Sequence, residues 1–177
     1  MSTPGCAPII LGARLRREAA HSSRGAAKLL ADSLAAARRG GAVGKVLVRA
    51  DSAFCNRPVI TAITRTGASF SITARLDRSV RRSIDTIPAD GWTRVSYSQA
   101  IPDPDTGELV SAAEVAEVAH TMGSGKGAKI SARLIVRRVP ERNKTKVAAA
   151  QAEQGELFTV YRYHAVFTDN TMELIEA

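Results

Sequence analysis

Asp51 is the residue in this sequence best placed to do chemistry. It follows the apolar run 45–50, the clearest strand signal in the chain, and precedes Ser52-Ala53-Phe54-Cys55-Asn56-Arg57. In open parallel sheets, ligands gather at the carboxyl ends of strands. A carboxylate there can hold a hard divalent cation through oxygen. The same side chain can equally cap the turn that follows, by accepting a backbone N–H. Residue pattern leaves both roles open.

The other reactive residues carry weaker signals. The loop 123–127 (Gly123, Ser124, Gly125, Lys126, Gly127) has the glycines and lysine of a phosphate loop. It lacks the full Gly-x-x-x-x-Gly-Lys-Ser/Thr pattern and no helix is expected after it, so a solvated turn is the expectation. His21, His120 and His164 lie in three separate segments with no Cys or carboxylate at metal-ligand spacing. Ser52 stands in no Gly-x-Ser-x-Gly elbow. Cys6 and Cys55 are too few and too far apart for a disulfide framework or a zinc site, which fits a reducing cytoplasm.

Asp51 needs elements to position it, and the N-terminal half supplies them. Residues 8–15 read as a short strand running into a basic loop. Ser22 or Ser23 can cap a helix over 24–39, with Ala27, Leu30, Leu34 and Ala37 on one face and Gly40-Gly41 ending it. The run 45–50 is a strand. Residues 57–66 form a second helix with Pro58 in its first turn, stopped by Gly67. Residues 68–75 form another strand with Phe70, Ile72 and Ala74 on one face, and 79–87 a short basic helix. Strand, helix, strand, helix, strand is the order of a parallel sheet with crossovers.

After Ile87 the character changes. Asp90-Gly91 and the cluster 102–107 are turn signals. Residues 92–97, 114–122, 130–139 and 156–168 read as strands, with 141–155 as a polar connector. This is an antiparallel β insertion rather than a second doubly wound unit.

Charge separates the same halves. The 177 residues carry a formal net charge of +8, and the sequence pI is about 10.1. Met1 to Ile87 holds fifteen basic and five acidic residues, a net of +10, against ten and twelve in the remainder. The N-terminal half is therefore the one whose field attracts a polyanion. Its cations are mostly arginines, whose planar fork suits phosphate, and Arg14, Arg16, Arg17, Arg24 and Arg57 are the candidate DNA contacts. An Arg- and Ala-rich composition from GC-rich coding would leave the same imprint. Apolar residues at 45% and charged residues at 24% argue against wholesale disorder. No apolar run approaches the roughly 18 residues of a membrane span, and the N-terminus shows no secretory signal. Membrane proteins, secreted mini-proteins and zinc fingers are excluded as classes.

The motif Val48-Arg49-Ala50-Asp51-Ser52-Ala53-Phe54 at a strand end resembles the second-aspartate motif of DDE insertion-sequence transposases, in the ribonuclease H-like superfamily. Further stretches resemble the same bacterial group: residues 20–26 before a helix, 71–75, 132–138, and Tyr163-His164-Ala165-Val166-Phe167-Thr168-Asp169. Their order and spacing cover most of the chain from Ile9 to Asp169.

The resemblance implies three carboxylates, Asp, Asp and Glu, holding two divalent cations (Mg²⁺ or Mn²⁺) for in-line phosphoryl displacement on DNA. Asp51 corresponds to the second. The first belongs on an earlier strand, yet 8–15 contains no acid. The Glu belongs on a helix after the insertion, and Glu173 and Glu176 come too early for it. The resemblance thus implies an internal fragment, inactive alone. Its fold is α/β: a partial ribonuclease H-like mixed sheet with helices (1–87), an antiparallel β insertion (88–170), and the start of a C-terminal helical region (171–177). The implied partners are the transposon ends and an intact transposase copy, with no membrane, in a nucleoid-associated cytoplasmic setting. The alternative is a non-catalytic basic DNA-binding remnant. A third possibility, from the residues alone, is a small doubly wound protein taking an anionic ligand near Asp51.

Overall fold

A computed structural model describes residues 8–15, 23–95, 113–123, 127, 129–141, 147 and 159–171. The elements in chain order are α1 (Ala26–Arg39), β1 (Leu47–Ala50), a 3₁₀ turn (Ser52–Phe54), α2 (Arg57–Arg65), β2 (Ser69–Ala74), α3 (Arg78–Asp85), a second 3₁₀ turn (Ala89–Gly91), β3 (Thr93–Val95), β4 (Ala113–Met122), β5 (Ile130–Pro140) and β6 (Tyr161–Thr168). The strands form a six-stranded mixed sheet in the order β1-β2-β6-β5-β4-β3. This mixed α/β architecture is compatible with a partial ribonuclease H-like fold. The chain divides into two compact units.

The first unit comprises 1–74, 121–130 and 167–171. β1 and β2 are parallel, with Leu47 opposite Ser69 and Ala50 opposite Ile72, and α2 makes the crossover between them. α2 begins where Asn56 accepts a hydrogen bond from the Val59 N–H (3.1 Å) and Pro58 occupies the first turn. Gly67, with φ of +70°, lets the chain turn out of the helix where a side chain would be strained. α2 turns Val59, Ile60 and Ile63 inward, where they meet Phe70 and Ile72 in the buried core. Each such side chain contributes on the order of 1.5–3 kcal/mol by leaving water.

Phe70 is also fixed from far along the chain. Its ring packs on that of Phe167 at 5.4 Å between centroids. Its carbonyl accepts from the Thr168 hydroxyl (2.6 Å) and its N–H donates to Asp169 Oδ1 (2.7 Å).

Two expectations fail here. Residues 8–15 form no strand. A strand needs a neighbouring ladder to satisfy its backbone, and this segment lies against α1 instead: Gly12 approaches Ser33 and Leu29 so closely that a Cβ there would meet the Ser33 hydroxyl at 2.9 Å. Ser23 does not cap α1. Ser22 lies outside the described residues, and the cap position is Gly25, in the left-handed region at φ +74° with no side-chain cap bond. Proximity explains the choice, since Arg14 lies where a Cβ on Gly25 would stand.

The second unit comprises 75–120, 131–166 and 172–177. Asp77 caps α3 by accepting from the Ser79 and Val80 N–H groups (2.9 Å each), and Val80 and Ile84 are buried. β3 and β4 are antiparallel, with Arg94 opposite Glu114. Leu134 and Val136 on β5 and Ala165 on β6 are buried. Between β4 and β5 run two ion pairs, Arg133–Glu117 and Arg138–Glu114, each 2.6 Å. The Arg138 guanidinium also lies 4.0 Å from the Trp92 ring centroid and 4.3 Å from that of Tyr161. The strand expected over 92–97 is seen as Thr93–Val95, and that over 156–168 begins only at Tyr161. Ser96 and Tyr97, and residues 156–158, lie outside the described residues.

Candidate nucleic-acid interface and the Asp51 position

Asp51 stands where the sequence places it, one residue past β1, and is exposed. Its Oδ1 accepts the Ala53 N–H at 2.8 Å, which starts the 3₁₀ turn. The capping role is therefore real, and it engages one of the two carboxylate oxygens. Two divalent ions at short separation need several carboxylates to offset their charge. Among the described residues no three His, Cys, Asp or Glu side chains gather. The described residues do not fit a two-cation centre.

The structure brings some of the predicted cations together and separates others. Arg14 and Arg24 line one cleft of about 250 Å³ between α1 and β1, and Arg49, from β1, joins them. The walls are apolar (Leu29, Leu30, Val48, Phe54 and Val59 among them), and no Asp or Glu is among the described residues that line the cleft. A cleft lined by arginines is suited to phosphate or another anion. Arg57 is elsewhere: its guanidinium presses on the backbone of Gly127, in a space any side chain at 127 would fill. Gly127 thus serves a close approach. Lys126 and the predicted contacts Arg16 and Arg17 lie outside the described residues.

Sequence reasoning did not select Arg49, although strand alternation could have: it lies two residues before Asp51, on the β1 face that also carries Leu47 and is left exposed. It also overlooked a cationic group in the second unit. Arg162 and His164 alternate onto the same face of β6. His164 is held below the usual imidazole range, first by partial loss of water and then by the positive charges of Arg162 and Arg137.

His120 has a different role. It is buried, and its Nδ1 lies 2.9 Å from the Ser83 hydroxyl. Burial lowers its pKa, opposed by the nearby Asp77 carboxylate. This is a packed neutral imidazole tying β4 to α3.

No helix among the described residues is long and apolar enough to cross a membrane. A family profile described as "Transposase DDE domain group 1" matches residues 3–159. No curated protein matches the chain.

Proposed function

The chain belongs to the transposase DDE domain family, and from that premise we propose that it binds duplex DNA through the arginines of its first unit and does not transfer strands by itself. The observation that carries this reading is the cleft lined by Arg14, Arg24 and Arg49. The +10 charge of residues 1–87 adds a long-range attraction for the phosphate backbone. Asp51 takes the place of the second family aspartate at a strand end. Among the described residues no three ligating side chains gather, as the Mg²⁺ or Mn²⁺ pair for cleavage and strand transfer at transposon ends would require, and on this reading the chain acts as a DNA-binding piece of a DDE transposase. On this reading 1–87 is the core portion and 88–170 the β insertion, and the chain works at the nucleoid, alongside an intact transposase copy on the same ends.

Fluorescence anisotropy with a labelled duplex tests the binding. The expected Kd lies at about 10⁻⁴ to 10⁻⁶ M and weakens steeply with salt. Absence of binding at low salt overturns the reading. A nicking and strand-transfer assay with Mg²⁺ or Mn²⁺ is expected to show no product; robust product would reinstate catalysis by this chain alone. Calorimetric metal titration of Asp51→Asn against the parent then addresses the aspartate. Loss of any weak binding supports a ligand role, and unchanged binding leaves Asp51 a cap.

A further inference from the structure

The slightly negative net charge of residues 88–177 hides a cationic patch on one face of the second unit's strands. Leu134, Val136 and Ala165 are buried. Side chains alternate along β5 and β6, so Arg137, Arg162 and His164 turn to the opposite face. Arg162 and His164 are exposed there, and Arg137 is half-buried.

The register of the two strands brings these side chains together. β5 and β6 adjoin in the sheet. Where β5 ends and β6 begins, the Glu141 N–H donates to the Val160 carbonyl (2.8 Å), which sets these two residues opposite each other in an antiparallel ladder. Counting back two residues at a time sets Val139 opposite Arg162 and Arg137 opposite His164. The Cα atoms of such a hydrogen-bonded pair lie about 5.5 Å apart, and Arg162 stands about 7 Å from His164 along β6. Partial loss of water, and then the positive charges of Arg162 and Arg137, hold His164 below the usual imidazole range, as this register requires. On β4, beyond β5, the Glu117 carboxylate is taken by Arg133 (2.6 Å). β2, on the other side of β6 in the sheet order, has no titratable side chain. Like charges gathered on adjacent strands are destabilising, and an anion seated among them offsets that cost.

We propose that Arg137, Arg162 and His164 form a second docking face for the DNA phosphate backbone, in addition to the arginine cleft of the first unit, an inference that rests on the chain's being a DNA-binding protein. Two guanidiniums and an imidazolium at these spacings can each donate to phosphate oxygens. The face is proton-linked. A phosphate beside His164 replaces a repulsive field with an attractive one and favours the charged ring. Binding therefore takes up a proton and tightens as pH falls through the ordinary imidazole value of 6.5. Arg133 and Arg138 take no part, because carboxylates already hold them.

NMR of the histidine ring protons in the full chain, titrated with pH without and with a saturating short DNA duplex, gives the first test, and His164→Gln assigns the signal. The His164 midpoint is expected below 6.5 in the free protein and to rise by about one pH unit or more with DNA. The buried His120 is expected to stay where it is. In fluorescence anisotropy the parent Kd should tighten by about threefold to tenfold from pH 8 to pH 6, and His164→Gln should remove most of that dependence. Arg162→Ala, at an exposed position, should weaken binding at both pH values and lower the salt slope by about one. Far-UV circular dichroism at each pH confirms that the variants are folded. A His164 midpoint unmoved by saturating duplex, a parent affinity flat between pH 6 and 8, or a pH dependence that survives in His164→Gln overturns the proposal. Arg14→Ala and Arg49→Ala keep its failure apart from that of the first-unit reading. Weaker binding in those variants beside an unmoved His164 removes the second face alone. A moved His164, with affinity indifferent to Arg14 and Arg49, upholds the second face and removes the first-unit reading. Absence of binding at low salt overturns both.

Discussion

Arginine does opposite work in the two units. In the second unit it is part of the architecture: Arg133 pairs with Glu117, and Arg138 pairs with Glu114 while lying between Trp92 and Tyr161. In the first unit Arg14, Arg24 and Arg49 line a cleft with no carboxylate among its described lining residues. A guanidinium set against a carboxylate and an aromatic face is committed to holding the fold. One lining an open cleft is placed where an external anion can reach it. Net charge marks the same division, but it cannot say which individual arginines are committed.

Removing Arg138 breaks this contrast most sharply. Its side chain is 17% exposed, so Arg138→Ala strips two aromatic contacts and leaves the Glu114 carboxylate half-buried without its cation. We expect a loss of about 2 kcal/mol in chemical denaturation. Arg133→Ala, at a more open pair, should cost only about 0.2–1 kcal/mol.

Acidification tests the second unit as a whole. His120 and His164 have depressed pKa values when folded, chiefly through loss of water, so the unfolded chain binds protons first. Stability is complete above their ordinary value of 6.5 and falls as pH drops through and below it. Glu117, lowered by its hydrogen bond to Arg133, adds a further loss as pH falls below its ordinary 4.5. Thermal melts between neutral pH and about 4 should show this decline, and His120→Gln should flatten its upper part. A melting temperature that rises on acidification would contradict it.

The smallest stability effect belongs to the cleft. Arg14→Ala and Arg49→Ala should each change unfolding free energy by less than about 0.5 kcal/mol. Each should nonetheless reduce the slope of log Kd against log salt by about one for duplex DNA. An equal change in Arg138→Ala would erase the distinction between the two arginine populations.

Much of the fold was legible because its signals are local. Pro58 and Gly67 bracket α2, the alternation of Phe70, Ile72 and Ala74 marks β2, and Asp51 sits where a strand end puts it. What was illegible depends on partners distant in sequence. Residues 8–15 have strand composition but no ladder to join. Gly25 holds the α1 cap position in place of Ser23, with Arg14 packed against it. The arginine cleft was only half visible: the charge excess pointed to the right half of the chain, while grouping Arg49 with Arg14 and Arg24, and parting Arg57 from them, required the packing of α1 over β1.

The attachment of Phe70 to Thr168 and Asp169 has a bearing on how the chain comes to be folded. Those bonds span 98 and 99 residues, and the ring contact with Phe167 spans nearly as many. Contacts so far apart close large loops, and chains dominated by them fold slowly. During synthesis, β1, α2 and β2 leave the ribosome long before the segment that seals them, at roughly 5–20 residues per second. For several seconds the first unit therefore waits with the far side of Phe70 uncovered. Pulse-labelling hydrogen exchange during refolding should find the Phe70 amide protected late, together with β6, and after the amides of α2.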